Sequence, residues 1–434
     1  MTLKVKSPFY KTHYLSLIFS LVLLPFLSSA QQVSFPGAEG YGAKASGGRG
    51  GSVYHVTNLN DSGAGSFRDA VSKPNRTVVF DIGGVIKAKS RISAASNLTV
   101  AGQTAPGEGI VIFGYGITLS KQENVIMRYL RFRGSIDMPR GMCTFVADSA
   151  KNMMFDHLSI EWGRWDNLHV QESSDITFQY CLFGEAIDPQ RFGALLERPK
   201  NLTIHHSLWI DNQSRNPKAK ADIEYVNNVV YNWGVSGFVG GHSAANHHQD
   251  IINNYFIAGP NSTDNFLSMF TATDHVYQSG NYADLNKDGV LNGSLVNEET
   301  FKAEKADIVS KRQNVSPAAV TTQSATQAYH IVMAEAGSSI KRDSIDRRII
   351  SYLQSLGRQG RIFRTETEAG GQGKLVGGSA NQDIDSDGIP DSWELTNKLN
   401  PKNPDDGKIL VKSSHYTQLE HYLNSLAMKP AKAI

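Results

Sequence analysis

Residues 175–183 read Asp-Ile-Thr-Phe-Gln-Tyr-Cys-Leu-Phe, a run in which apolar and polar side chains alternate. Alternation with a period of two is typical of a β-strand that buries one face. The opening phrase of this run is an Asn or Asp followed by mostly apolar residues, and it recurs every 21 to 28 residues. The phrase begins at Asn97, Asn124, Asn152, Asp175, Asn201, Asp222 and Asp250.

A repeat of this length with one or two strands cannot bury its own apolar face, but coils of it stacked on one another can. A leucine-rich solenoid would show a Leu-x-x-Leu-x-Leu frame, and a propeller would need about 40 residues per blade. The sequence therefore predicts an all-β protein, a right-handed parallel β-helix. Two doublets, Asn227-Asn228 and Asn253-Asn254, follow strands at matching places. Their amides are either an Asn ladder between coils or simple turn residues.

The first thirty residues predict export. A Lys-bearing start precedes an apolar run from Leu15 to Leu27, and small residues end at Ala30, which is the pattern of a signal peptide. The apolar run is shorter than the ~20 residues that a bilayer requires. We expect a secreted or periplasmic protein with no membrane span.

The remaining chain divides into three predicted segments. Residues 31–300 contain the β-helix, residues 301–362 a short helical extension and residues 363–434 a tail. Within the extension, a period of 3.6 residues predicts helices over 324–336 and 343–356.

The charge of the mature chain argues against two classes of partner, nucleic acids and membrane surfaces. The whole sequence has 43 Lys and Arg against 41 Asp and Glu, a net charge of +2. Because the first thirty residues hold three lysines and no acid, the rest carries a formal charge of −1. A chain that is not basic argues against general binding to nucleic acid or to a membrane surface. Two cysteines are too few for a disulfide scaffold.

Residues 383–394 read Asp-Ile-Asp-Ser-Asp-Gly-Ile-Pro-Asp-Ser-Trp-Glu. Oxygen ligands stand at positions 1, 3, 5, 9 and 12 and glycine at position 6, as in an EF-hand calcium loop. We expect a structural Ca²⁺ in this tail. The predicted ligands are Asp383, Asp385, Asp387, Asp391 and Glu394.

A local basic patch lies in the middle of the predicted solenoid. Residues 191–220 hold six cations against two acids, which indicates either a polyanionic ligand or a solvated coil face. Arg215 follows the strand predicted over 202–210 and should project from the outer surface. Pro217 should stiffen its loop.

Several motifs together carry a resemblance over nearly the whole mature chain. They are Phe-Pro-Gly-Ala-Glu-Gly-Tyr-Gly at 35–42, Phe-Asp-His at 155–157, Glu-Trp-Gly at 161–163, Arg-Asn-Pro at 215–217 and the calcium tail. In these blocks the sequence resembles the exported bacterial pectate lyases of polysaccharide lyase family one.

The resemblance implies β-elimination on an anionic polysaccharide such as polygalacturonate. Arg215 matches the base that removes the C5 proton of a uronate, Lys220 a cation that grips the substrate, and Arg191 a remaining basic position. An arginine in solution keeps its proton up to pH 12, so cationic neighbours and an alkaline pH would favour this chemistry. We expect the enzyme to be a monomer.

The resemblance also implies a calcium ion in the substrate groove, held by acids shortly before residue 155. That place here reads Arg-Gly-Met-Cys-Thr-Phe, from Arg140 to Phe145. Asp166 and Glu161 are the remaining ligand candidates. Either fewer protein ligands and the substrate hold the ion, or cations such as Arg140 and Arg164 replace it, as would suit a methylated uronan.

Three other functions stay open at this point. One is a lyase on methylated pectin or another uronan. A second is a glycoside hydrolase on the same solenoid, with Glu185 and Asp188 as its nearest pair of carboxyl groups. The third is a polysaccharide-binding protein without catalysis, which would keep the basic groove but would not need Arg215.

Overall fold

The structure is a computed structural model that describes residues 1–6 and 32–427. Residues 1–6 form no helix or strand. The predicted signal peptide falls mostly on residues 7–31 and so lies outside the described residues. Within the described ranges, no helix is both long enough and apolar enough to cross a membrane.

Within residues 32–427 the strands form three sheets of 11, 10 and 8 strands. Sheet 1 contains Ser52–Val56, Arg76–Phe80, Leu98–Ala101, Glu123–Arg128, Lys151–Asp156, Ser174–Gln179, Lys200–His205, Ile223–Val226, His247–Ile252, Asp274–Ser279 and Asp307–Ile308. Sheet 2 contains Gly84–Lys87, Ile110–Gly114, Arg131–Gly134, Ser159–Glu161, Leu182–Gly184, Leu208–Ile210, Val229–Tyr231, Tyr255–Ile257, Tyr282–Asp284 and Ser294–Leu295. Sheet 3 contains Ile92–Ser93, Ile117–Thr118, Phe145–Val146, Asp166–Gln171, Phe192–Glu197, Lys218–Lys220, Phe238–Val239 and Leu267–Ser268.

Each coil of the chain passes through the three sheets in turn, and each strand pairs in parallel with the strand one coil away. The last strand of sheet 2, which pairs antiparallel, is an exception. In sheet 1, Met153 pairs with Val125 on one side and Ile176 on the other. All three are buried in one hydrophobic core. Stacking like residues in register buries the apolar face that a single repeat leaves open, and the predicted parallel β-helix is confirmed.

The second asparagine of each doublet forms a ladder between coils. Asn228 Nδ2 donates to Asn254 Oδ1 at 3.2 Å, and Asn254 Nδ2 donates to Asn281 Oδ1 at 3.0 Å. The first members, Asn227 and Asn253, adopt left-handed backbone with φ of 56° and 52°. Both interpretations of the doublets therefore hold, each for one of the two residues.

Six α-helices lie within the described residues. They are α1 Phe67–Val71, α2 Glu298–Ala303, α3 Ala325–Glu335, α4 Ser344–Gln354, α5 Asp391–Thr396 and α6 Gln418–Ala427. Ser324 and Gln327 form a capping box at the start of α3, and the Asp343 side chain caps α4. Both helices of the predicted extension are thus confirmed to within two residues. Their apolar faces pack on sheet 2, which leaves the outer face of sheet 3 for a site.

The glycine-rich segment before the first strand lies across the outer face of sheet 1. The Gly42 amide donates to Thr177 Oγ1 at 2.9 Å. A Cβ at Gly42 would stand 2.0 Å from the carbonyl oxygen of Met153. Only glycine permits this approach of the backbone to the sheet.

Candidate active site

The outer face of sheet 3 presents the predicted cations. In the strand Lys218–Lys220 the two lysines are half-buried, while Ala219 between them is fully buried. Because side chains alternate along a strand, both lysines point away from the core. Lys218 pairs in register with Leu195, and Lys220 pairs with Glu197.

Arg215 stands just before this strand and is held from two sides. Its Nη1 lies 3.2 Å from each carboxylate oxygen of Asp166. Its guanidinium carbon lies 4.2 Å from the ring centroid of Phe192. The Asp166 side chain is fully buried, whereas that of Arg215 is 20% exposed. The Arg215 side chain therefore has a defined position and is partly open to solvent, as predicted for a side chain on the outer surface.

Burial shapes the protonation of the groups around Arg215. It raises the pKa of Asp166 to about 6, although the Arg215 charge acts in the opposite direction. Burial, and then the charges of Arg215 and Lys220, lower the pKa of Lys218. Lys218 therefore gives up its proton more readily than an ordinary lysine.

Arg191 lies in the adjacent coil. Its Nε stands 3.3 Å from Asp188 Oδ1, and its carbonyl accepts a hydrogen bond from the amide of Gln213 at 2.7 Å. Arg191 thus lies one coil before Arg215 and Lys220, and its role in the site stays a prediction.

The basic patch read from the sequence is divided between different faces of the coil. Lys200 is exposed at the start of a strand of sheet 1. Arg198 lies in the turn that leads to that strand and pairs with Glu172. Arg198 and Lys200 are close to Arg215 along the chain, which is why the sequence predicted one basic patch. In the folded coil they lie on a different face from Arg215.

Glu161, one of the two predicted groove ligands for calcium, lies elsewhere. It is in sheet 2, fully buried, and accepts a hydrogen bond from Arg133 Nε. Arg133 also binds Asp343 and Asp346 of the helical extension, at 2.5 and 2.8 Å. Burial raises the pKa of Glu161 in spite of Arg133. Glu161 thus belongs to a buried network that holds α4 against the solenoid.

A groove calcium site does not fit these residues. Glu161 is engaged with Arg133 in sheet 2, and both oxygens of Asp166 face the Arg215 guanidinium. A calcium ion needs several free oxygen ligands around one point. Asp166 thus contacts the predicted base, Arg215, and not Glu161, the other predicted calcium ligand.

The tail does form a cluster of acids. Carboxylate oxygens of Asp383, Asp385 and Asp387 lie within 4.8 Å of one another, and so do those of Asp387, Glu394 and Asp406. Asp406 was missed because it lies twelve residues after the loop motif ends. Asp391 lies outside both groups, and its Oδ1 accepts a hydrogen bond from the Ile384 amide at 2.9 Å.

A cation fits this acidic cluster. Five buried carboxylate oxygens there have no hydrogen-bond partner: Asp385 Oδ2, Asp387 Oδ2, Glu394 Oε1, Glu394 Oε2 and Asp406 Oδ1. Buried carboxylates without partners are costly, and burial together with the neighbouring acids raises the pKa of Asp387 and of Glu394 to about 7. A bound Ca²⁺ would give these oxygens the partner that they lack.

Solved structures share the solenoid. A thermostable pectate lyase, PL 47, superposes with a TM-score of 0.52 at 14% sequence identity, over 71% of this chain and 98% of that one. A pectate lyase bound to a hexasaccharide gives a TM-score of 0.50 at 12% identity, over 72% and 99% of the two chains. At such low identity these likenesses establish the fold.

Sequence relatives are much closer. No protein-family model matches the chain. The protein named "Probable pectate lyase C" from Aspergillus fumigatus is 41% identical over 396 residues, which cover 91% of this chain and 94% of the fungal one. Its namesake from Aspergillus flavus is 39% identical, over 95% and 97%. These relatives are fungal, so the bacterial origin in the predicted resemblance is not supported. With such identity over nearly its whole length, the chain belongs to the pectate lyase family.

Proposed function

We propose that this protein is an exported lyase that cleaves pectate, or polygalacturonate, by β-elimination. The observation that carries the proposal is the meeting of Arg215, Lys218 and Lys220 on the outer face of sheet 3, in a member of the pectate lyase family. A line of cations on the surface of a chain without net positive charge suits a polyanionic polymer.

The chemistry follows from the substrate carboxylate. The base removes the proton at C5, a C4=C5 double bond forms, and the C4–O bond breaks, so that the departing oxygen takes up a proton. Arg215 is the proposed base: its neutral guanidine takes the C5 proton and becomes a guanidinium. Its side chain is positioned by Asp166 and is partly open to solvent. Lys218, Lys220 and Arg191 stabilise the negative charge that builds up on the carboxylate during proton removal. No step requires a calcium ion in the groove.

A glycoside hydrolase is less well supported. Its candidate acid Glu185 is fully buried, and both of its oxygens are engaged by Arg348, one of them also by Trp162 Nε1. Asp188 pairs with Arg191 and Arg364. Glu185 therefore does not reach a sugar on the surface, and the two-carboxylate mechanism lacks one partner.

The class of function is testable with one assay. We expect incubation with polygalacturonate to release products with the ultraviolet absorbance of an unsaturated uronate, because elimination creates a C4=C5 double bond. New reducing ends without this absorbance would show hydrolysis instead. The absence of any product would show a binding protein.

A substitution of Lys220 tests its role in binding. Lys220→Ala is expected to raise KM for polygalacturonate about tenfold, with a smaller change in kcat, because it removes a charge-assisted contact to a carboxylate. Lys200→Ala is the matched control, since Lys200 comes from the same basic stretch but lies on sheet 1. Steady-state kinetics at two salt concentrations would separate the variants. Equal KM values for both variants would contradict the proposed contact.

A further inference from the structure

A cavity of about 370 Å³ opens on the outer face of sheet 3, beside the cations. Its floor includes Val146, His169 and Leu195. Val146 pairs in register with His169, His169 with Leu195, and Leu195 with Lys218. These four residues form one row, in which neighbouring strands are about 4.8 Å apart. A polymer that lies on Lys218 and continues along the row therefore enters the cavity.

The wall of the cavity is held in place by hydrogen bonds. The Arg164 amide donates to the Met142 carbonyl at 3.0 Å. Arg91 Nη2 donates to the Cys143 carbonyl at 2.7 Å. The loop that carries Met142 and Cys143 is thus tied to two other coils, and the cavity is formed before any ligand binds.

The lining of the cavity differs in kind from the cation cluster. Trp165, Met142, Val146 and Leu195 supply aromatic and aliphatic surface. The charged lining residues other than His169 are Arg91 and Asp148, which have opposite signs. The Asp148 carboxylate accepts from His169 Nδ1 at 2.8 Å and keeps 29% of its side chain exposed. A sugar here meets an apolar surface together with one carboxylate, Asp148, and one guanidinium, Arg91.

We propose that this cavity is a sugar subsite for a methyl-esterified uronate, so that the enzyme prefers partially esterified pectin to fully de-esterified polymer. The inference rests on the proposed lyase function and specifies its substrate. The apolar face of the sugar stacks on Trp165, as sugars and aromatic rings allow, and the methyl group packs on Met142 and Leu195. Asp148 accepts hydrogen bonds from sugar hydroxyls, and its negative charge offsets the attraction of Arg91 for a free carboxylate. The free uronate that reacts lies at Arg215.

Specificity constants on two substrates test this inference. For the parent protein we expect a higher kcat/KM on partially esterified pectin than on polygalacturonate, both measured by the absorbance of unsaturated product. Trp165→Ala should lower kcat/KM on esterified pectin about tenfold, equivalent to about 1.4 kcal/mol, and Trp165→Phe should retain most of the parental value. Asp148→Asn should raise kcat/KM on polygalacturonate severalfold.

The control is Asp307→Asn, because Asp307 also accepts from a histidine, His275, at 2.6 Å, but lies on the last strand of sheet 1. It should leave both constants unchanged. Equal parental activity on the two substrates, or a Trp165→Ala variant with the parental substrate ratio, would overturn the subsite. A parent that makes no unsaturated product from either substrate would instead overturn the proposed lyase function.

Discussion

Arg215→Lys is expected to lower the rate of elimination by about 10²–10⁴-fold, the usual contribution of a general base. Lysine keeps a positive charge opposite the buried Asp166, so the fold should persist. It cannot reproduce the planar group that lies between Asp166 and the ring of Phe192. The base would then be displaced from the C5 proton. We expect kcat to fall while KM changes only modestly, measured by initial rates of unsaturated product.

Arg198→Lys is the matched control for this substitution. Arg198 belongs to the same stretch of sequence, but it is about half exposed and pairs with Glu172, so the same exchange should leave the rate unchanged. Arg215→Ala should lose as much activity as Arg215→Lys. If both Arg215 variants keep near-parental elimination rates, the base is another group. Lys218 is then the next candidate, because burial and the cations beside it lower its pKa.

The second large effect is expected in the tail, where Asp387→Ala should lower the melting temperature in calcium by about 5 °C. A ligand that binds only the folded state at a hundred times its Kd adds about 2.7 kcal/mol, and about 2 °C per kcal/mol is reasonable for a chain of this size. Asp387 belongs to both groups of clustered acids, so its loss should weaken the whole site. The readout is thermal unfolding in calcium and in chelator.

Turnover at low temperature should stay near parental in Asp387→Ala. The tail packs against Val79 and Ala101 in the first coils of sheet 1, whereas Arg215 lies beside sheet 3 in later coils. Asp391→Ala is the control, since the Asp391 carboxylate lies outside the clusters, and it should keep most of the response to calcium. If calcium stabilises Asp387→Ala as much as the parent, the tail is not a calcium site.

The solenoid was predictable because its signal is local and repeated. Alternation along a strand places Ile176 and Phe178 in the core. The same alternation recurs in the other coils, and no distant residue is needed to predict which face of a strand is buried. The helix ends were predictable for the same reason, since Ser324 and Asp343 cap the backbone that follows them directly. The EF-hand motif likewise placed Asp383, Asp385, Asp387 and Glu394 in one region.

The partners of the buried acids depended on the tertiary structure. Arg133 and Asp343 are 210 positions apart in the chain and form a hydrogen bond. Arg133 also binds Glu161, which therefore lies in this buried network and not in the groove. Asp166 faces Arg215 across 49 positions, so a predicted metal ligand becomes the group that holds the predicted base. Asp406 joins the tail cluster from beyond its motif. A repeat of period two determines which face of a strand is buried, but the charge that a buried acid meets is set by how coils stack and where the helices pack.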